Sequence, residues 1–142
     1  MTAEAKALLA SAASLAARRE RGSIQSADLE RGSIQSADLA MALVSSGVFN
    51  ALFEGQSRSE IMRHLEEIPR EEPVFGMPVD VYVYSDPVKR ILAYALEEAQ
   101  RSSGTEVQPR HLLIGLLREG GCAPARLLEG NGVTLTRARS IR

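Results

Sequence analysis

Cysteine is nearly absent: Cys122 is the single thiol of the chain. No intrachain disulfide can form, and such usage points to a reducing compartment. With no evident catalytic partner, Cys122 reads as a buried or half-buried structural thiol. A basic excess is missing too. Seventeen Lys and Arg against eighteen Asp and Glu leave a formal net charge of -1, which argues against nucleic acid or an anionic membrane as partner. The cluster Arg18, Arg19, Glu20, Arg21 is broken by an acid and reads as a solvated helix end. Long apolar runs are also lacking. The run Leu112 to Leu117, interrupted by Gly115, falls far short of the roughly 20 residues a bilayer requires. Residues 3–17 are rich in Ala and Leu, but Glu4 and Lys6 interrupt them and no basic segment precedes them. They read as an amphipathic helix, not a signal peptide.

The chemistry-bearing motifs are equally sparse. There is no GxxxxGK[ST] phosphate loop, so ATP cannot be held in that way. Two histidines, His64 and His111, lack the three or four convergent ligands of a metal site. Glu66-Glu67 and Glu97-Glu98 read as solvated helix faces, because hydrolytic carboxylates must face each other across a cleft. No catalytic residue, cofactor or metal is expected, and the chain is not expected to be an enzyme.

What the sequence has is repetition. Residues 20–29 read ERGSIQSADL, and residues 30–39 read the same ten letters again. This is a direct tandem duplication. A more diverged repeat spans the chain. Lys6, Leu8, Leu9, Ala12, Ala16 and Arg18 match Lys89, Ile91, Leu92, Ala95, Ala99 and Arg101 at an offset of 83. Past the decamer, Leu39, Leu43 and Gly47 match Leu112, Leu116 and Gly120 at an offset of 73. The two offsets differ by the length of the decamer. Residues 1–68 and 86–142 therefore read as two related halves of one domain over 1–142, joined by a linker over 69–85 that holds Pro69, Pro73, Gly76 and Pro78.

Each half reads as four helices, about eight in all, which makes the fold class all-α. The first helix of each half, near Ala3–Arg19 and Pro87–Ser102, has apolar residues at i, i+3, i+4 and i+7. The second, running from Leu39 and from Pro109, is apolar on nearly all sides and so central in a bundle. Ser36 is expected to cap the former, while Gly47 and Gly120 close the pair. A short third helix follows near Val48–Phe53 and Ala123–Glu129. The fourth starts near Ser57, with a Ser57–Glu60 capping box, and near Thr134. Val79 to Tyr84 favour β structure and read as an extended segment across the bundle. Because Leu39 runs straight into Ala40-Met41-Ala42-Leu43-Val44, the second decamer should fill the core. The first should be a surface excursion that exposes Ile24 and Leu29 as a small apolar patch.

One family resemblance emerges from the second half. Pro87 to Leu92, then Glu106-Val107-Gln108-Pro109-Arg110-His111-Leu112-Leu113-Ile114-Gly115-Leu116-Leu117-Arg118-Glu119-Gly120, then Ala125 to Glu129 and Gly132 to Leu135 resemble the Clp N-terminal repeat. That repeat belongs to ClpA- and ClpC-type AAA+ unfoldases and to free-standing Clp accessory proteins. The resemblance implies two pseudo-repeated four-helix units and a protein-binding module that recruits substrates or adaptors to a Clp ATPase ring. It implies chaperone and protease regulation in the cytoplasm, protein partners and a monomeric domain. The alternative is a free-standing helical scaffold or regulator outside the Clp system. In ClpC-type domains a glutamate before each His-Leu-Leu stretch binds phosphoarginine. The matching positions here are Ala37 and Arg110, so that site is not retained. Phe75, Met77, Tyr82 and Tyr84 are the candidate protein-binding residues, as aromatics and Met are enriched at interfaces. The chain ends inside an expected helix, which favours a piece of a longer protein.

Overall fold

A computed structural model describes residues 1–23, 33–47, 49, 52, 55–70, 72, 74, 83–102, 104 and 106–140. Among these, seven helices and one two-residue strand pair appear: α1 (Ala3–Ser23), β1 (Ser33–Ile34), α2 (Ser36–Ser45), α3 (Gly55–Glu66), β2 (Val83–Tyr84), α4 (Asp86–Arg101), α5 (Pro109–Glu119), α6 (Ala123–Gly130) and α7 (Leu135–Ser140). The fold is all-α in its mass. No described helix is long and apolar enough to cross a membrane.

The core is built on α2 and α5. Every residue of α2 from Ser36 to Val44 is buried, and so is α5 from Pro109 to Leu117 apart from Arg110. Leu39, Leu43, Leu112, Leu113 and Leu116 are all 0 % exposed. This follows from sequences that are apolar around most of the helix circumference. The other helices lay one face against this pair. On α1 that face is Ala5, Leu8, Leu9, Ala12 and Ala16, and on α4 it is Val88, Ile91, Ala95 and Ala99. The closest approach is at Gly115, where an added Cβ would stand 2.4 Å from Ile91 O on α4. Glycine is needed there to let the two backbones meet.

Of the second decamer, Ile34 and Leu39 lie in the core, both 0 % exposed. Most of the first decamer, with Ile24 and Leu29, lies outside the described residues, as does most of the third helix expected near Val48–Phe53.

Several local expectations are corrected. The α1 helix runs on to Ser23 rather than stopping at Arg19, since Arg18 to Arg21 are good helix formers with no breaker among them. Ser36 is the first residue of α2 and not its cap. The cap is Gln35, whose backbone N–H donates to Asp38 Oδ2 at 2.9 Å. The α3 helix opens at Gly55, two residues before Ser57, so Ser57 is not the cap of that helix. The end of the extended segment is paired: Val83–Tyr84 runs parallel to Ser33–Ile34. Arg19 is not solvated, for its side chain is 16 % exposed and turned inward onto Asp38.

Candidate protein-docking site

The two central helices begin with the same backbone device. Ahead of α2, Gln35 N donates to Asp38 Oδ2 at 2.9 Å. Ahead of α5, Gln108 N donates to His111 Nδ1 at 2.9 Å. Each is the reciprocal arm of a capping box, in which the third helical residue reaches back to the cap. Leu39 N and Leu112 N then close onto the Gln35 and Gln108 carbonyls. Two further backbone bonds join segments distant in sequence. Ser85 N donates to Ile34 O at 2.9 Å, and Thr2 N donates to Val107 O at 3.0 Å. Residues 2 and 85 stand 83 apart, and residues 34 and 107 stand 73 apart. The residue ahead of α4 is thus tied to the turn before α2, and the residue ahead of α1 to the turn before α5.

Electrostatics separate the two turns. At α2, Asp38 is 0 % exposed and bridges Arg19 at 3.0 Å and Arg70 at 2.9 Å. A second acid, Glu72, accepts from Ser36 N at 2.8 Å, from the Ser36 hydroxyl, and from Ser85 Oγ at 2.6 Å. A carboxylate bonded at a helix N-terminus satisfies donors the helix leaves open and complements its dipole. The first turn of α2 is therefore closed by the chain's own acids, and Glu72 links it to the residue ahead of α4.

Among the described residues, no acid is bonded at the α5 turn in this way. Pro109 has no N–H to offer at the place of Ser36. Arg110 is half-buried, and its Nε is enclosed without a hydrogen-bond partner. His111 is 1 % exposed. With Nδ1 accepting from Gln108 N, its hydrogen sits on Nε2, which is also buried without a partner. Burial, and next the positive charge of Arg110, push the His111 pKa below its ordinary 6.5, with Glu98 opposing.

Glu98, read from sequence as a solvated residue, is corrected by the structure. It is 6 % exposed, and accepts from Arg139 of α7 at 2.7 Å and Arg118 of α5 at 3.4 Å. Arg118 also lies over the Tyr94 ring, 4.6 Å from its centroid. Glu66 and Glu67 are exposed, as is His64. Cys122 is buried, and desolvation pushes its thiol pKa up to about 12, so it is protonated and unreactive at neutral pH. No group of three or more His, Cys, Asp or Glu among the described residues could hold a metal ion.

Of the four residues singled out as a protein-binding patch, Tyr84 is 3 % exposed and belongs to the core cluster. It fastens the linker's end to the bundle. Phe75, Met77 and Tyr82 lie outside the described residues. Ala37 is buried at 2 % exposure, and Arg110 stands at the open α5 turn. The signal that sequence reasoning missed is the pair Gln-x-x-Asp and Gln-x-x-His at offset 73, which marks both helix starts.

An all-α bundle whose two central helices begin with the same capping device, cross-tied by reciprocal backbone bonds, defines a helical class of domain. The family follows from comparison. Residues 83–141 match the family model of the Clp repeat (R) N-terminal domain, so this part of the chain is a Clp N-terminal repeat. It is 31 % identical over 80 residues to the chaperone protein ClpB of Oceanobacillus iheyensis, covering 56 % of this chain and 10 % of that protein. It is 36 % identical over 56 residues to the negative regulator of genetic competence ClpC/MecB of Bacillus subtilis, covering 39 % and 7 %. A ClpA homologue of Guillardia theta is 39 % identical over 57 residues, covering 40 % and 7 %. The match thus spans a tenth or less of the length of these relatives.

Proposed function

We propose that this chain is a protein-binding module that recruits substrate polypeptides or adaptors to a Clp AAA+ unfoldase. The observation that carries the reading is the match of residues 83–141 to the Clp repeat, in a chain linked by sequence to ClpA, ClpB and ClpC proteins. On this reading the chain performs no chemistry of its own. It acts as a monomer in the cytoplasm, and residues 1–68 and 86–142 are two related repeats joined by residues 69–85. The paired helix starts and the reciprocal Thr2 and Ser85 bonds support that division. Phosphoarginine is not among the proposed ligands, because Ala37 and Arg110 offer no carboxylate to its guanidinium.

The test is equilibrium binding. Fluorescence anisotropy of a labelled, permanently unfolded polypeptide should show saturable binding to the isolated chain, and a Clp ATPase hexamer should co-sediment with it. Absence of both would remove the reading.

A further inference from the structure

The far ends of α2 and α5, away from their capped starts, differ in what fills the groove beside them. At an offset of 83, Ala7, Leu8 and Ser11 of α1 match Arg90, Ile91 and Tyr94 of α4. At an offset of 73, Ser45 and Ser46 match Arg118 and Glu119. The matched residues hold like places in the fold. Leu8 and Ile91 are both buried. Ser46 and Glu119 each precede a glycine of positive φ, Gly47 at 79° and Gly120 at 63°.

Between α4 and the end of α5 the large members of the set fill the groove. Arg90 donates to Glu119 Oε1 from Nε at 3.3 Å and from Nη2 at 3.2 Å, and Arg118 lies over the Tyr94 ring. Between α1 and the end of α2 the same four places hold Ala7, Ser11, Ser45 and Ser46, which are too short to bridge the two helices. A cavity of about 240 Å³ remains, lined by Glu4, Ala7, Leu8, Ser11 and Ser46. This is below the roughly 300–1,000 Å³ of a small-molecule site and suits a single side chain.

Charge selects the occupant. Glu4 is exposed and lines the cavity, with no ion pair among the described residues. A helix C-terminus carries partial negative charge and favours a cation. The last turn of α5 has Arg118, whereas that of α2 has no basic residue. Arg58 of α3 donates to Ser45 O at 3.1 Å, but it does not line the cavity. Ala7 and Leu8 offer apolar surface to an aliphatic stem, and the Ser11 and Ser46 hydroxyls can accept from N–H donors.

We infer that the cavity between α1 and the C-terminal end of α2 receives an arginine side chain of a partner polypeptide. Glu4 and the last turn of α2 face its guanidinium, and Ala7 and Leu8 face its stem. The guest supplies from outside what Arg90 supplies within the chain at the α4–α5 groove. This rests on the docking reading and deepens it by giving the partner's chemistry: a basic peptide segment.

The experiment is an NMR titration of the chain, followed at backbone amides, with capped Gly-Arg-Gly, Gly-Lys-Gly and Gly-Phe-Gly as probes. Gly-Arg-Gly should shift Ala7, Ser11 and Ser46 saturably. It should leave Arg90, Tyr94 and Glu119 unmoved, because their groove is already filled. Gly-Lys-Gly should bind more weakly, since an ammonium lacks the planar fork of donors. Glu4→Gln should weaken Gly-Arg-Gly binding about two- to five-fold, as expected for an exposed ion pair. Ala7→Arg combined with Ser46→Glu builds the Arg90–Glu119 pair into the cavity and should abolish binding, with circular dichroism reporting that the variant is folded. Glu4→Gln changes only an exposed side chain, so its result stands even if the double variant misfolds. No saturable shift at the three amides, equal shifts at the α4–α5 groove, or unchanged binding in Glu4→Gln overturns the inference. So does a folded double variant that still binds, or Gly-Phe-Gly that binds as tightly as Gly-Arg-Gly. No Clp ring and no unfolded polypeptide is present in this titration, so its failure is separable from failure of the docking reading.

Discussion

The starts of α2 and α5 solve one backbone problem with opposite charges. Ahead of α2, Asp38 and Glu72 accept from backbone and serine donors, and Arg19 and Arg70 balance Asp38. Ahead of α5, a neutral imidazole accepts the cap N–H, and a cation stands beside it with an unused donor. The difference teaches that a repeated local geometry need not repeat its energetics. The first turn is locked by long-range ion pairs reaching from α1 and from the segment after α3. The second has packing and a neutral side-chain bond to its cap in place of those ion pairs.

The largest effect that would separate the turns is removal of their acceptors. Asp38→Ala should cost about 3–5 kcal/mol, because it leaves two largely buried guanidinium groups uncompensated. His111→Ala should cost about 1–3 kcal/mol, the range for one polar group left unpaired. Urea denaturation of the two variants measures both, and equal losses would erase the distinction. Next comes the duplicated decamer. Leu39→Ala should cost about 2–5 kcal/mol, as for a buried leucine. Leu29→Ala should cost little, since the second decamer already supplies the buried copy. Thermal melting decides, and a larger loss for Leu29→Ala would mean that the wrong copy has been placed in the core.

A smaller loss is expected at the α4–α5 crossing. Gly115→Ala puts a Cβ 2.4 Å from Ile91 O, and forcing the helices apart should cost about 1–3 kcal/mol. The smallest effect is the dependence on pH. The His111 pKa is lowered in the fold, so the unfolded chain takes up a proton first as pH falls. The stability that neutral His111 contributes is complete above its ordinary value of 6.5. It declines as pH drops from there toward the folded pKa. His111→Gln should flatten that part of the stability profile, as read by urea midpoints across the range. An unchanged slope would mean that His111 does not bear the effect.

Much of the fold was legible. Helical spacing with Pro87, Pro109, Gly47 and Gly120 as punctuation located α1, α2, α4 and α5, because periodicity and breakers are local signals. The tandem copy that fills the core was legible too, since only Leu39 continues into an apolar run. What escaped was long-range. Arg19 meets Asp38 across 19 residues and Arg70 meets it across 32, and no local pattern encodes such meetings. Glu98 was read as solvated because its partners Arg118 and Arg139 come from other helices. Gln35 and Gln108 were passed over as caps because glutamine is not a favoured cap residue. The bond that matters comes from the third residue of each helix. Of the candidate site, Arg110 was recognised only as a position where an acid had been lost. Its enclosed, unpartnered Nε and the buried His111 beside it required the fold.

A chain that delivers polypeptides to a Clp ring, as proposed, should do so when placed on one. The most direct measurement grafts the chain onto a ClpC-type ATPase stripped of its own N-terminal domain. With the partner peptidase present, degradation of an unfolded casein substrate is then followed. The graft should restore degradation well above the stripped ring, with ATP hydrolysis little changed. A graft that hydrolyses ATP normally yet degrades casein no faster than the stripped ring would contradict it.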